Sequence, residues 1–99
     1  MTLVAINTVE IDIAKGSTAA VLAQLEALLE VLNRTSGCMA YSLARRGASD
    51  EAWLISGHWD CIERMTAHFD LPCLGMLFDL TARRLVTTLR FASVQVPPS

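Results

Sequence analysis

The sequence predicts an α+β domain in which an antiparallel sheet carries helices on one face. Two observations predict it. Stretches of strand-like alternation and stretches of helical spacing follow one another in the order β-α-β-β-α-(α)-β. The second and third strands are joined only by Gly47-Ala48-Ser49-Asp50, a length that suits a hairpin and therefore antiparallel pairing. Separately, 53% of the residues are hydrophobic and 18% are charged, more apolar material than a 99-residue chain needs for its own core, which points to a second copy of the chain covering one face.

The first strand covers about residues 2 to 13. Its odd positions are Leu3, Ala5, Asn7, Val9, Ile11 and Ile13, all apolar except Asn7. Alternate side chains share a face, so Asn7 points the same way as its hydrophobic neighbours. A buried amide without partners costs roughly 1–3 kcal/mol, which singles the residue out. Lys15-Gly16 makes the next turn, and Ser17 or Thr18 can cap the helix that follows. In that helix Val21, Leu25, Leu28 and Leu32 recur at helical spacing, and Leu22 and Leu29 widen the stripe. Ser36-Gly37 ends it.

The second strand runs from Cys38 to about Arg46 and the third from about Glu51 to Trp59. The third strand has Trp53, Ile55, Gly57 and Trp59 on one face and Ala52, Leu54, Ser56 and His58 on the other. Asp60 with Glu63 resembles a capping box and opens a second helix with Ile62, Met65 and Phe69 on one stripe. Pro72 suits the first turn of a further helix, expected over residues 72 to 84, with Leu74, Leu77, Phe78 and Leu85 as apolar contacts. The last strand is Val86 to Val96, closed by Pro97-Pro98. This order matches the ferredoxin-like arrangement, and residues 1–99 are expected to form one domain.

The odd face of the first strand is expected to look toward the helices, with Asn7 at the wall of the space between. Val4, Ile6 and Thr8, together with Ala52, Leu54 and Ser56, form the opposite face and are too apolar for free solvent. A homodimer whose two sheets pack face to face would cover them.

Composition also excludes several function classes. No uninterrupted apolar run approaches the roughly 20 residues of a membrane span. The net charge is −2, and the largest basic clusters are Arg45-Arg46 and Arg83-Arg84, so a nucleic-acid footprint is missing. The start MTLVAINTVEID has no basic stretch or cleavage pattern of a secretory signal. Cys38, Cys61 and Cys73 are odd in number and lack C-x-x-C spacing, as expected of reduced thiols in a cytoplasmic protein. His58 and His68 stand ten residues apart without a carboxylate at ligand spacing, so no metal site is expected. Neither a nucleotide-binding glycine pattern nor a recognisable nucleophile setting is present.

Several residues taken together resemble a known family. They are Asn7 in the first strand, Lys15-Gly16 before a helix, Ser36-Gly37-Cys38-Met39-Ala40-Tyr41 entering the second strand, Trp59-Asp60 closing the third, and Ala67-His68 late in the second helix. Over about residues 3 to 96 the chain resembles the antibiotic biosynthesis monooxygenase domain family, of the dimeric α+β barrel fold. The resemblance implies a small dimer with a pocket in each subunit between sheet and helices. It implies oxygenation of quinols or anthrones by molecular oxygen with no metal or flavin cofactor. A related branch degrades haem through an asparagine, a tryptophan and a histidine ligand. Asn7 matches the asparagine, but the tryptophan position falls at or near His68 and the histidine position near Phe78, which cannot ligate iron. Haem is therefore not expected, with His68 or His58 as the only substitutes. The family often has a glutamate two residues before the third-strand aromatic, where this chain has Gly57.

Asn7 offers a donor and an acceptor that could orient a substrate hydroxyl or stabilise a phenolate; the alternative is an amide satisfied by backbone or a buried water. His68 is the first choice for the base that deprotonates a hydroquinone or anthrone; the alternative is a helix histidine with a structural hydrogen bond. Trp59 could stack on a planar substrate, whereas Trp53 is expected in the core. Tyr41 could hydrogen-bond a substrate oxygen or pack in the core or dimer interface. Phe78 and Met65 are further candidates for the pocket wall. His58 lies on the face opposite Trp59 and belongs to the expected interface. The expected activity is a cofactor-independent monooxygenase, and the alternative is a non-catalytic small-molecule-binding or stress-response dimer.

Overall fold

The computed structural model describes residues 2–97. In chain order its elements are β1 (Ala5–Ile13), α1 (Thr18–Leu32), β2 (Cys38–Arg45), β3 (Ala52–Trp59), α2 (Ile62–His68), a 3₁₀ turn (Pro72–Leu74), α3 (Gly75–Ala82) and β4 (Val86–Gln95). The four strands pair antiparallel in the order β2-β3-β1-β4, which is the expected ferredoxin-like sheet. β1 is interior, with β3 on one side and β4 on the other.

Every odd position of β1 from Ala5 to Ile13 is buried, so the alternating face that contains Asn7 is the core face. Val21, Leu25, Leu28 and Leu32 of α1 close over it, joined by Leu77 and Leu80 of α3. Full burial of each such side chain contributes roughly 1.5–3 kcal/mol, enough to fix which face of the sheet the helices cover. The register then sets up a row across the whole sheet: Tyr41 of β2 lies opposite Gly57 of β3, Gly57 opposite Asn7 of β1, and Asn7 opposite Ser93 of β4.

The element ends depart from the sequence expectations in three places. Neither Ser17 nor Thr18 caps α1 with its side chain; Thr18 Oγ1 instead donates to the Asp50 carbonyl at 3.3 Å, tying the helix start to the β2–β3 turn. The cap of α2 is Cys61 in extended conformation rather than Asp60, and its thiol faces Glu63 Oε2 at 3.2 Å. The single helix expected over 72–84 is a 3₁₀ turn followed by α3. Pro72 holds Leu71 extended (φ −65°, ψ 132°), as the residue before a proline prefers, and the chain re-enters helix through a tightened turn. α3 ends when Arg84 takes the left-handed conformation (φ 62°) and the Leu85 N–H donates back to the Leu80 carbonyl at 3.0 Å.

The outer sheet face carries Val4, Ile6, Leu54 and His58, each partly exposed, and Val94, which is 57% exposed. Glu10 and Arg90, opposite one another on that face, pair at 3.5 Å. Among the described residues no helix is long and apolar enough to cross a membrane.

Candidate functional site

Among the described residues two polar side chains sit in the core, Asn7 and His68, each 2% exposed. Both belong to one hydrogen-bonded network that runs from Trp59 to the Met65 carbonyl. Trp59 Nε1 donates to Asn7 Oδ1 at 2.7 Å, and Asn7 Nδ2 donates to the Tyr41 hydroxyl at 2.7 Å. The Tyr41 hydroxyl lies 2.9 Å from His68 Nε2, and His68 Nδ1 bonds the Met65 carbonyl.

The direction of every hydrogen follows from the two ends. An indole N–H can only donate, so the oxygen of Asn7 must face Trp59 and its nitrogen must face Tyr41. A carbonyl can only accept, so His68 carries its hydrogen on Nδ1, leaving Nε2 as an acceptor for the Tyr41 hydroxyl. Burial pushes the His68 ring below its ordinary pKa, against the opposing pull of the Met65 carbonyl. Burial raises the Tyr41 phenol to about 12, against the Asn7 hydrogen bond that lowers it. Histidine is thus held neutral and tyrosine protonated, the states the donor chain requires.

Packing and backbone hold these groups in place. The Trp59 and His68 rings lie 4.4 Å apart between centroids, and Tyr41 meets Trp59 edge-on at 6.3 Å. β2 is an edge strand, so the outward backbone of Tyr41 needs a partner. Asn33, at the end of α1, supplies it: the Tyr41 N–H donates to Asn33 Oδ1 at 2.8 Å, and Asn33 Nδ2 donates to the Tyr41 carbonyl at 3.1 Å. Sequence reasoning missed Asn33, because an asparagine after a helix signals only a terminus.

Asn7 also borders a cavity of about 360 Å³ between the sheet and the 3₁₀–α3 segment. That volume lies within the roughly 300–1,000 Å³ of small-molecule sites. Phe69, Leu74, Phe78 and Phe91 form its apolar walls, and Asn7, Thr8, Ala92 and Ser93 line its β1–β4 side. Phe78 and Phe91 stack with centroids 5.7 Å apart and planes 25° from parallel. One amide hydrogen of Asn7 is spent on Tyr41, and the other has no protein acceptor among the described residues. The cavity is therefore an aromatic slot with the Asn7 residue at its wall, of a shape and polarity that suit a flat molecule.

Of the residues singled out from sequence, Asn7 and Phe78 line this cavity. Tyr41, Trp59, Met65 and His68 do not; they are buried beneath and beside Asn7, toward β2 and β3. His68 was expected to face the substrate as its base. Its Nε2 is instead engaged by Tyr41, and the residue borders a separate groove with Thr35, Ser36 and Arg64. The reason is lateral. The cavity opens on the β4 side of β1, whereas His68 and Tyr41 lie across β3 on the other side, and strand order is not written in any local stretch. His58 lies on the outer face, with Nδ1 buried and without a hydrogen-bond partner among the described residues.

Comparison with known proteins places this geometry. No curated protein sequence matches the chain. Among solved structures, a Deinococcus radiodurans protein bearing the name of an antibiotic biosynthesis monooxygenase superposes with a TM-score of 0.86 at 20% identity, covering 96% of this chain and 94% of its own. A Shewanella oneidensis protein gives 0.83 at 17% identity, covering 97% and 93%. A Nitrosomonas europaea protein of unknown function gives 0.81 at 18% identity, covering 98% and 92%. These likenesses carry the fold alone. The family model of the antibiotic biosynthesis monooxygenases matches residues 4–73, which spans β1 through the start of the 3₁₀ turn and holds Asn7, Tyr41, Gly57, Trp59 and His68. The chain belongs to the antibiotic biosynthesis monooxygenase family.

Proposed function

We propose that the protein is a cofactor-independent monooxygenase that oxidises a flat aromatic substrate of quinol or anthrone type with molecular oxygen. The observation that carries this reading is Asn7 at the wall of an aromatic-lined cavity, its amide nitrogen bonded to Tyr41 through only one of its two hydrogens. A planar substrate stacks against Phe78 and Phe91 and sets its hydroxyl oxygen on the Asn7 amide. As that hydroxyl loses its proton, charge develops on an oxygen that already accepts a hydrogen bond from a fixed donor. Such a donor stabilises the anion more than the neutral ground state. The resulting anion reduces molecular oxygen by its own chemistry: one oxygen atom enters the product and the other leaves as water, with the substrate supplying the electrons and protons. His68 serves this step by accepting the Tyr41 hydroxyl and so fixing the aim of Asn7, while the substrate proton leaves to water at the open mouth of the cavity.

Haem fits these residues poorly. Phe78 offers no ligand, the His68 Nε2 is taken, and His58 is on the other side of the sheet. A second reading, a non-catalytic small-molecule-binding dimer, is favoured by one observation: the eight residues lining the cavity include no titratable side chain. Incubation with a quinol or anthrone under ¹⁸O₂ separates the two. A product carrying one labelled oxygen supports the oxygenase, and a ligand that stabilises the fold but is recovered unlabelled supports the binding reading.

The homodimer belongs to the same proposal. Ile6, Leu54 and Val94 make the outer face apolar, and the Glu10–Arg90 pair neutralises its charge.

A further inference from the structure

Gly57 occupies the middle of the row Tyr41–Gly57–Asn7, in register with both neighbours. Its backbone has no positive φ, so no turn explains the glycine. Space does. A Cβ built at position 57 would stand 2.6 Å from Tyr41 Cε2 and 2.8 Å from Tyr41 Cζ, and nearer still to Asn7 Oδ1. Real carbon contacts are about 3.5–4.0 Å, so neither neighbour could keep its place. Two side chains from strands that are not adjacent meet only because the strand between them contributes a hydrogen.

We infer that Gly57 is a positioning residue of the Asn7 cavity: the space left by its missing side chain is the passage through which the Asn7 amide reaches the Tyr41 hydroxyl. The smallest side chain at 57 pushes Asn7 Oδ1 off the Trp59 indole and the Tyr41 ring off His68. Asn7 then turns its spare N–H away from the bound molecule, although the aromatic walls are unchanged. The functional meaning of this rests on the oxygenase reading; the geometry does not.

The test is Gly57→Ala, read by NMR on the full chain without substrate. Trp53→Phe identifies which of the two indole signals belongs to Trp59. In Gly57→Ala the Trp59 indole hydrogen is expected to exchange with solvent at least about tenfold faster. The His68 Nε2 resonance is expected to move as it loses its donor. Asn7→Ala removes the nearest obstructing atom and the donor that holds the Tyr41 hydroxyl, so adding Gly57→Ala to Asn7→Ala should cost less stability than adding it to the wild type, although the Tyr41 ring must still move. If Gly57→Ala alone does not fold, recovery of a folded protein in the double variant supports the inference. Wild-type indole and His68 signals in Gly57→Ala, or no relief by Asn7→Ala, would overturn it. With a quinol the wild type turns over, Gly57→Ala lowers kcat about tenfold or more and leaves KM within about twofold. If the wild type turns over none, the oxygenase reading fails while the NMR result still decides the role of Gly57.

Discussion

At the residue scale the donor chain from Trp59 to Met65 runs one way because both ends are fixed. A proton added to His68 Nε2 would take away the acceptor of the Tyr41 hydroxyl and leave two hydrogens facing each other. This adds to the burial that already keeps His68 below its ordinary value of 6.5. The consequence for stability has a definite sign. Above about pH 6.5 the ring is neutral both folded and unfolded, and nothing is lost. As pH falls below that value the unfolded chain takes the proton first, so it binds more protons and folding weakens. The urea midpoint is therefore expected to fall between about pH 7 and pH 5.5. The fall should be smaller in His68→Gln; equal falls in the two proteins would contradict the account. Asn7 and His68 were legible in the sequence, Asn7 as the one polar side chain on an apolar face. Their connection was not. It runs through Tyr41 and the absent side chain of Gly57, which become neighbours only when β2, β3 and β1 are laid side by side.

At the scale of elements, periodicity marked β1 and α1 most clearly, because a buried alternate face or a buried stripe is a local pattern, whereas the single helix expected over 72–84 divides into a 3₁₀ turn and α3. The ends were less legible, because each is decided by a distant partner. The Thr18 hydroxyl leaves its own helix for the Asp50 carbonyl, and Asn33 leaves α1 to pair with the backbone of β2. The end of α3 carries a cost the sequence does not announce. Arg84 stands in the left-handed region at φ 62°, where a non-glycine residue pays roughly 1–2 kcal/mol. Glycine is free of that strain but gains freedom in the unfolded chain worth about 0.4–1 kcal/mol. Arg84→Gly is accordingly expected to stabilise the protein by about 0.5–1 kcal/mol in urea unfolding. A destabilised variant would show that the Arg84 side chain contributes contacts that outweigh the backbone relief.

At the scale of the whole molecule, one face of the sheet is largely covered by the protein's own helices, apart from the cavity beside β4, and the other face is not. The high hydrophobic fraction makes this imbalance legible in composition alone, and the partly exposed Ile6 and Leu54 and the exposed Val94 show where part of the surplus lies. If the outer faces pair, light scattering at micromolar concentration gives about twice the chain mass of 10.8 kDa, and Ile6→Asp lowers it toward the single-chain value. A single-chain mass for the wild type would defeat the dimer. The central claim concerns the inner face, where an amide aimed by a buried network meets an aromatic slot. It is tested most directly by oxygen uptake with a panel of quinols and anthrones, comparing the wild type with Asn7→Ala. The account predicts uptake by the wild type with at least one such substrate, and a loss on the order of 100-fold in kcat on removing the donor. No uptake by the wild type, or an undiminished rate in Asn7→Ala, would contradict it.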